Sequence, residues 1–417
     1  MKFVASGKID GKIQAPPSKS MSVRALAIAS VVDGETRIEN PSTCNDALSA
    51  RKVIEALGSS VHEDGHDLVI RGAGSPRSEK LNCDESGLSL RMFCALAALH
   101  KQPLVLEARG SLCHRPMDMI PGPLRALGAF CQTSGGLAPI SVQGPLRGGH
   151  ARVDGGETSQ FLSGLLVACP LAEKGCELIV SGLKSVPYVL MTLDLLKHFG
   201  VSWQRDTLLS HFYMEGQVAY RKGVSYLVEG DWSGAAAMLV LGAMTGRVAI
   251  SGLGCDSFQA DKAVLDALGL AGATVQCRQD LVVVSKGSLS GFRFDVSHCP
   301  DLAPYLAALG CACDGQTVIK GAARLKNKES DRASVLVEQL GRMGADIRRD
   351  GDSILVRGPQ TLECESVDPH GDHRMAMALA VAAVGTGGSV GIEDHGCVAK
   401  SYPGFFDDIA NLGAEVR

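Results

Sequence analysis

Six glycines constrain this chain more than any other feature. Gly58, Gly128, Gly200, Gly272, Gly344 and Gly413 each close an apolar, helix-like run, and they are separated by 70, 72, 72, 72 and 69 residues. The runs include Val53-Ile54-Glu55-Ala56-Leu57 before Gly58 and Gln339-Leu340-Gly341-Arg342-Met343 before Gly344. Glycine commonly ends helices because the left-handed backbone of the cap costs it nothing. After Gly344 an alternating stretch, residues 345–350, reaches the turn Asp350-Gly351-Asp352 and a second apolar run, 353–358. Residues 59–72 repeat that design. The unit therefore predicts a helix, a glycine cap and a β-hairpin.

Six such units fill the chain. The sixth stops at Glu415-Val416-Arg417 before its second strand, while the strand-like Lys2-Phe3-Val4 has no helix before it. We expect that N-terminal strand to complete the last unit. A unit of ~70 residues exceeds the ~20–50 residues usual for solenoids, so two domains of three units fit better than one extended array. The chain is expected to cross between them near residues 12–20 and 225–235. Residues 1–12 with 230–417 would form one domain and 13–229 the other.

Composition narrows the functional classes. Lys and Arg total 41 against 45 Asp and Glu, a formal charge of −4, which lacks the basic excess of a general nucleic-acid binder. A small anionic substrate stays open, because net charge says nothing about cations gathered in one place. The 14 cysteines fall below the density of a disulfide scaffold and show no paired zinc spacing. Cys311 and Cys313 read as small buried residues. No apolar run approaches the ~20 residues needed to span a bilayer, and the start returns to Lys8 too soon for a signal peptide. The expectation is a cytoplasmic protein without membrane or nucleic-acid partners. Aromatic residues make up only 5%, so the core is expected to be built from Ala, Leu and Val.

The richest local signal is Ala15-Pro16-Pro17-Ser18-Lys19-Ser20-Met21-Ser22-Val23-Arg24, followed by an apolar helix-like run. Ser18 or Ser20 would cap that helix, and its free N–H groups with Lys19 and Arg24 would offer an anion site. A plain serine cap with solvated cations reads equally well from this stretch alone. No GxxxxGK[ST] or dinucleotide GxGxxG stands in the right context, which argues against a nucleotide enzyme.

Other segments join this one in order along the chain. They are Gly87-Leu88-Ser89-Leu90-Arg91, His114-Arg115-Pro116-Met117, Thr158-Ser159-Gln160-Phe161-Leu162, Ser185-Val186-Pro187-Tyr188, Lys328-Glu329-Ser330-Asp331-Arg332, Asp372-His373-Arg374-Met375-Ala376 and Ala399-Lys400-Ser401-Tyr402-Pro403. Together they resemble the motifs of the 5-enolpyruvylshikimate-3-phosphate (EPSP) synthase family over nearly the whole length. The resemblance implies an α/β fold of two domains, each of three βαβαββ units, the inside-out α/β barrel of enolpyruvyl transferases. It also implies that the domains close over a cleft where phosphoenolpyruvate is joined to shikimate 3-phosphate and phosphate is released. No cofactor or metal is implied, and the chain is expected to act as a monomer on small anionic substrates.

Two phosphates and two carboxylates need a surplus of cations in a protein of negative net charge. By resemblance, Lys19, Ser20, Arg24, Thr158, Ser159, Gln160, Ser185, Tyr188, Asp301 and Lys328 would hold shikimate 3-phosphate. Lys19, Gly87, Arg115, Gln160, Arg332, Arg374 and Lys400 would hold phosphoenolpyruvate. Adding the 5-hydroxyl to C2 while C3 gains a proton requires a base and an acid. Asp301 matches the family's carboxylate at the 5-hydroxyl. Glu329 would deliver the C3 proton, with Lys19 stabilising charge. Taken alone, Asp301 reads as a helix N-cap and Glu329 as a solvated charge.

Three positions depart from the family pattern: Glu85 where Asn is common, Arg324 in place of Asn, and Val186 where a basic residue is frequent. A negative Glu85 near phosphoenolpyruvate is unfavourable unless Arg91 or another cation neutralises it. Two other readings compete. The related transferase acting on UDP-N-acetylglucosamine carries a Lys-Asn pair in place of Lys19-Ser20 and a reactive loop cysteine. A non-catalytic scaffold of repeats would not need Asp301 and Glu329 beside the eight cations Lys19, Arg24, Arg91, Arg115, Lys328, Arg332, Arg374 and Lys400.

Overall fold

The structure, a computed structural model, describes residues 1–417. It divides into two compact units, Met1–Pro16 with Glu229–Arg417, and Pro17–Val228. Each unit carries three four-stranded sheets, and none closes into a barrel.

The strand order is the same in every sheet. In the Pro17–Val228 unit, Lys80–Asn82 pairs in parallel with Leu104–Glu107, which pairs antiparallel with Leu137–Gln143, whose outer neighbour is the hairpin strand Phe130–Ser134. Two more sheets repeat this, one from strands between Gly149 and Met214 and one in which Val224–Leu227 lies beside Glu35–Glu39. In the other unit, Asp10–Gln14 pairs in parallel with Arg247–Ser251. Lys2–Ala5 runs antiparallel between Ser389–Ile392 and Glu415–Val416, taking the hairpin place in the last sheet.

The six glycines sit where their conformation is needed. Gly58, Gly128, Gly200, Gly272, Gly344 and Gly413 have φ of 106, 90, 81, 93, 102 and 112°, all in the left-handed range. At Gly58 a Cβ would also lie 2.2 Å from the Ser75 carbonyl oxygen, so the chain passes too close for any side chain.

Each unit is built around three nearly apolar helices. Lys19–Val31, Gly87–Ala97 and Gln160–Ala168 form one set, and Trp232–Thr245, Ala303–Gly310 and His373–Gly385 the other. Their sequences, such as the Ala-rich residues 375–384, are buried all round, as expected of helices enclosed by sheets rather than laid on a surface. Sheet strands alternate buried and exposed residues, as in Ser353–Gly358. No helix is long and apolar enough to cross a membrane.

Two of the fourteen cysteines are bonded. Cys255 and Cys277 form a disulfide across 22 residues, joining the turn after Arg247–Ser251 to the strand Thr274–Arg278. The pair has no motif spacing, and only the fold brings a turn and a hairpin strand together. The other twelve cysteines are free, Cys311 and Cys313 among the buried ones.

Candidate active site

In the Pro17–Val228 unit Lys19, Ser20, Gly87, Thr158, Ser159 and Gln160 lie at the N-terminal ends of the three buried helices, Ser185 and Tyr188 at the start of Val186–His198, and Arg115 just after the turn Gly110–His114. Ser18, not Ser20, caps Lys19–Val31, its side chain accepting from the Met21 amide at 3.4 Å. Lys19 Nζ meets Asp46 Oδ2 at 3.1 Å, and both side chains are largely buried. Asp46 was missed from sequence, where it reads only as an acid in the first turn of Asn45–Ala56.

Arg24 is 1% exposed and ties three helices together. It donates to Thr192 Oγ1 at 2.9 Å, to the carbonyls of Ser20 and Tyr188 at 3.0 and 3.2 Å, and to Ser163 Oγ at 3.5 Å. Burial brings its pKa down to about 10, with Tyr188 and Tyr226 opposing that fall. Arg24 therefore fixes the backbone around Ser20 and Tyr188. Ser185, immediately before Val186–His198, is buried with φ 55°, a strained conformation for a non-glycine residue. Thr158 Oγ1 accepts from the Gln160 amide at 3.2 Å, and Ser159 is buried beside it.

Gly87 shows why the Gly-Leu-Ser-Leu-Arg segment, the first turn of a helix, begins with glycine. A Cβ there would lie 2.9 Å from Arg115 Nη1 and 3.0 Å from Arg91 Nη1. Two buried guanidiniums thus flank bare backbone at the start of Gly87–Ala97, and Arg91 Nη1 donates to Gln160 Oε1 at 2.9 Å. Like charges this close, beside a helix N-terminus, favour an anion between them. Glu85 packs its carboxylate over Gly110, which has no side chain to obstruct it.

The second group lies in the other unit and is organised by Arg332. Its Nη1 meets Asp301 Oδ1, its Nη2 meets Glu329 Oε2 and its Nε meets Asp372 Oδ2, each at 2.7 Å. Burial opposes the charge of Arg332, but Asp372, Glu329 and Asp301 outweigh it and raise its pKa. Lys328 Nζ is 3.4 Å from Asp301 Oδ1. Asp301 stands in the short turn Pro300–Leu302, and Leu302, not Asp301, occupies the cap position of the following helix. Arg324 donates to the Ser297 carbonyl at 2.6 Å.

Arg374 starts a buried helix capped by Asp372. Its Nη1 donates to the Ser233 carbonyl at 2.8 Å and to the Tyr305 hydroxyl at 3.2 Å, its guanidinium lies over the Tyr305 ring, and its Nη2 is 3.8 Å from Asp301 Oδ2. Lys400 is 6% exposed at the end of His395–Lys400. Asp372, Tyr305 and Ser233 were not singled out as functional from sequence. Asp372 stood inside a quoted motif, but nothing in its spacing points to an arginine 40 residues away.

Each unit thus gathers buried cations that suit anionic ligands. The family model for EPSP synthase (3-phosphoshikimate 1-carboxyvinyltransferase) matches residues 4–409. The chain belongs to the EPSP synthase family. A 3-phosphoshikimate 1-carboxyvinyltransferase of Methanocorpusculum labreanum is 37% identical over 424 residues, covering 100% of both chains. The EPSP synthase structure from Acinetobacter baumannii superposes with a TM-score of 0.83 at 28% identity, covering 100% of this chain and 99% of that one. The enolpyruvyl transferase NikO from Streptomyces tendae has the same fold, with a TM-score of 0.79 at 19% identity over 100% of this chain and 98% of its own. As a member of the EPSP synthase family, the chain is an enolpyruvyl (carboxyvinyl) transferase, and the α/β fold expected from its repeats is the fold of these relatives.

Proposed function

We propose that this enzyme transfers the enolpyruvyl group of phosphoenolpyruvate to the 5-hydroxyl of shikimate 3-phosphate, releasing phosphate, in the shikimate pathway of aromatic amino acid biosynthesis. The observation that carries the site reading is the pair of guanidiniums, Arg91 and Arg115, flanking Gly87 at a helix N-terminus. Lys19, Ser20, Arg24, Thr158, Ser159, Gln160, Ser185, Tyr188 and Lys328 recognise shikimate 3-phosphate. Lys19, Gly87, Arg115, Gln160, Arg332, Arg374 and Lys400 recognise phosphoenolpyruvate.

Asp301 takes the proton of the 5-hydroxyl as that oxygen attacks C2. Glu329 gives a proton to C3, and after the C2–O bond forms it takes one back as the C2–phosphate bond breaks. Arg332 holds both carboxylates in the free protein. An incoming substrate carboxylate competes for that guanidinium and frees them for chemistry. Lys19 stabilises the charge that develops at the phosphate.

The enzyme acts as a cytoplasmic monomer. Twelve of the fourteen cysteines are free and nine of those are buried, which suits a reducing compartment even with the one bridge Cys255–Cys277, and the large exposed apolar side chains are scattered over separate elements. Light scattering tests the monomer. A phosphate-release assay offering shikimate 3-phosphate or UDP-N-acetylglucosamine tests the reaction. Turnover with the UDP-sugar alone would refute the assignment.

A further inference from the structure

Asp261 lies in the short turn Ala260–Ala263 and is 1% exposed. One of its oxygens, Oδ2, accepts a hydrogen bond from Ser233 Oγ, while Oδ1 is buried without a hydrogen-bond partner. A bare carboxylate oxygen in the interior is costly, so a fold that keeps one calls for a reason.

The reason lies on the other side of Ser233. The Ser233 carbonyl accepts from Arg374 Nη1 at 2.8 Å, and Arg374 Nε is itself buried without a partner. One serine is therefore held by Asp261 through its hydroxyl and holds Arg374 through its main chain. The charged and titratable groups facing Asp261 are Arg374 from His373–Gly385, Asp301 and Cys299 at the turn Pro300–Leu302, and Asp231 at the start of Trp232–Thr245. Only Arg374 among them is a cation, so it is the group on which the Asp261 charge acts attractively.

We propose that Asp261 is a positioning residue for enolpyruvyl transfer: through Ser233 it fixes the carbonyl that aims Arg374, and so sets phosphoenolpyruvate affinity without touching substrate. The inference rests on reading Arg374 as a phosphoenolpyruvate ligand. Asp261→Ala removes the acceptor, Ser233→Ala removes the hydroxyl but keeps the carbonyl, and Asp261→Asn keeps an acceptor of the same size.

Steady-state kinetics with both substrates varied tests it. Asp261→Ala and Ser233→Ala should each raise KM for phosphoenolpyruvate about tenfold, the scale of one lost hydrogen bond to a charged group, with KM for shikimate 3-phosphate within about twofold. Asp261→Asn should restore most of the affinity. In an Arg374→Gln background, removing the Asp261 carboxylate should add little, because its effect passes through that guanidinium. Equal rises in both KM values, or an undiminished effect in the Arg374→Gln background, would overturn the proposal. Should Asp261→Ala not fold, Ser233→Ala carries the same test alone. If Arg374→Gln leaves KM for phosphoenolpyruvate unchanged, the reading of Arg374 fails and the proposal falls with it, which is a different outcome from a silent Asp261→Ala beside an impaired Arg374→Gln.

Discussion

Glu329 Oε2 accepts from Arg332 Nη2 at 2.7 Å, so the carboxylate proposed to protonate C3 is bound in the free protein by a cation proposed to bind substrate. The two residues are three positions apart, on either side of the start of Arg332–Arg342. Proton chemistry at Glu329 is therefore coupled to whatever competes for Arg332.

Glu329→Gln keeps the size and the acceptor but cannot carry the C3 proton. Turnover should fall by roughly 10²–10⁴, the usual scale for a lost general acid–base group, with substrate affinity nearly unchanged. Asp301→Asn should behave alike at the 5-hydroxyl. Steady-state kinetics with ligand titrations checks both, and a Glu329→Gln enzyme at the wild-type rate would remove Glu329 from its role.

Gly87→Ala places a methyl 2.9 and 3.0 Å from two guanidinium nitrogens, at the flexible ends of Arg115 and Arg91. Those ends can yield, so the melting temperature should change little. Their displacement should weaken phosphoenolpyruvate binding by about tenfold or more, since charge-assisted contacts depend on geometry. Comparing KM values for the two substrates with the melting curve tests this split.

Lys19→Met should lower both affinity and turnover, because one cation serves ground state and transition state together. It also removes the ion pair with Asp46 at 3.1 Å. A loss of about 1–3 kcal/mol in stability, the scale of one lost hydrogen bond between charged groups, should appear in denaturant titration. An Asp46→Asn, Lys19→Met double variant should recover part of that loss.

The Asp261 carboxyl supplies a pH test. Burial, reinforced by Asp301, raises its pKa from 3.8 to about 7, so the folded state holds this proton over a range where the unfolded chain has released it. Stability from this group is present at acid pH and is lost as pH rises from about 4 to about 7. Asp261→Asn removes the titration. The melting temperature of the variant relative to wild type should therefore climb between pH 5 and pH 8, and a difference that stays flat with pH would contradict the shift.

Much of the fold is legible in the sequence because left-handed caps demand glycine, and a hairpin demands alternation around a polar turn. Gly344, Gly351 and the strands around them are local events, readable within 20 residues. The site is legible only as motifs. Lys19 and Glu329 stand out, but their counter-charges do not: Asp46 looks like an ordinary first-turn acid, and Asp372 lies 40 residues from Arg332. Arg24 reads from sequence as a cation for substrate, and its bond to Thr192, which spans 168 residues, depends on helix packing no local pattern encodes. The Cys255–Cys277 bridge escaped notice for the same reason.

The strands Lys2–Ala5 and Asp10–Gln14 leave the ribosome well before their partners, which lie in Arg247–Ser251, Ser389–Ile392 and Glu415–Val416. All strands of the Pro17–Val228 unit, by contrast, pair within it. At about 5–20 residues per second, that unit can finish folding while the first strands wait tens of seconds for their neighbours to be made. During synthesis the protein thus carries two strands with open edges ahead of the Pro17–Val228 unit, and a chaperone that covers extended segments would find its substrate there.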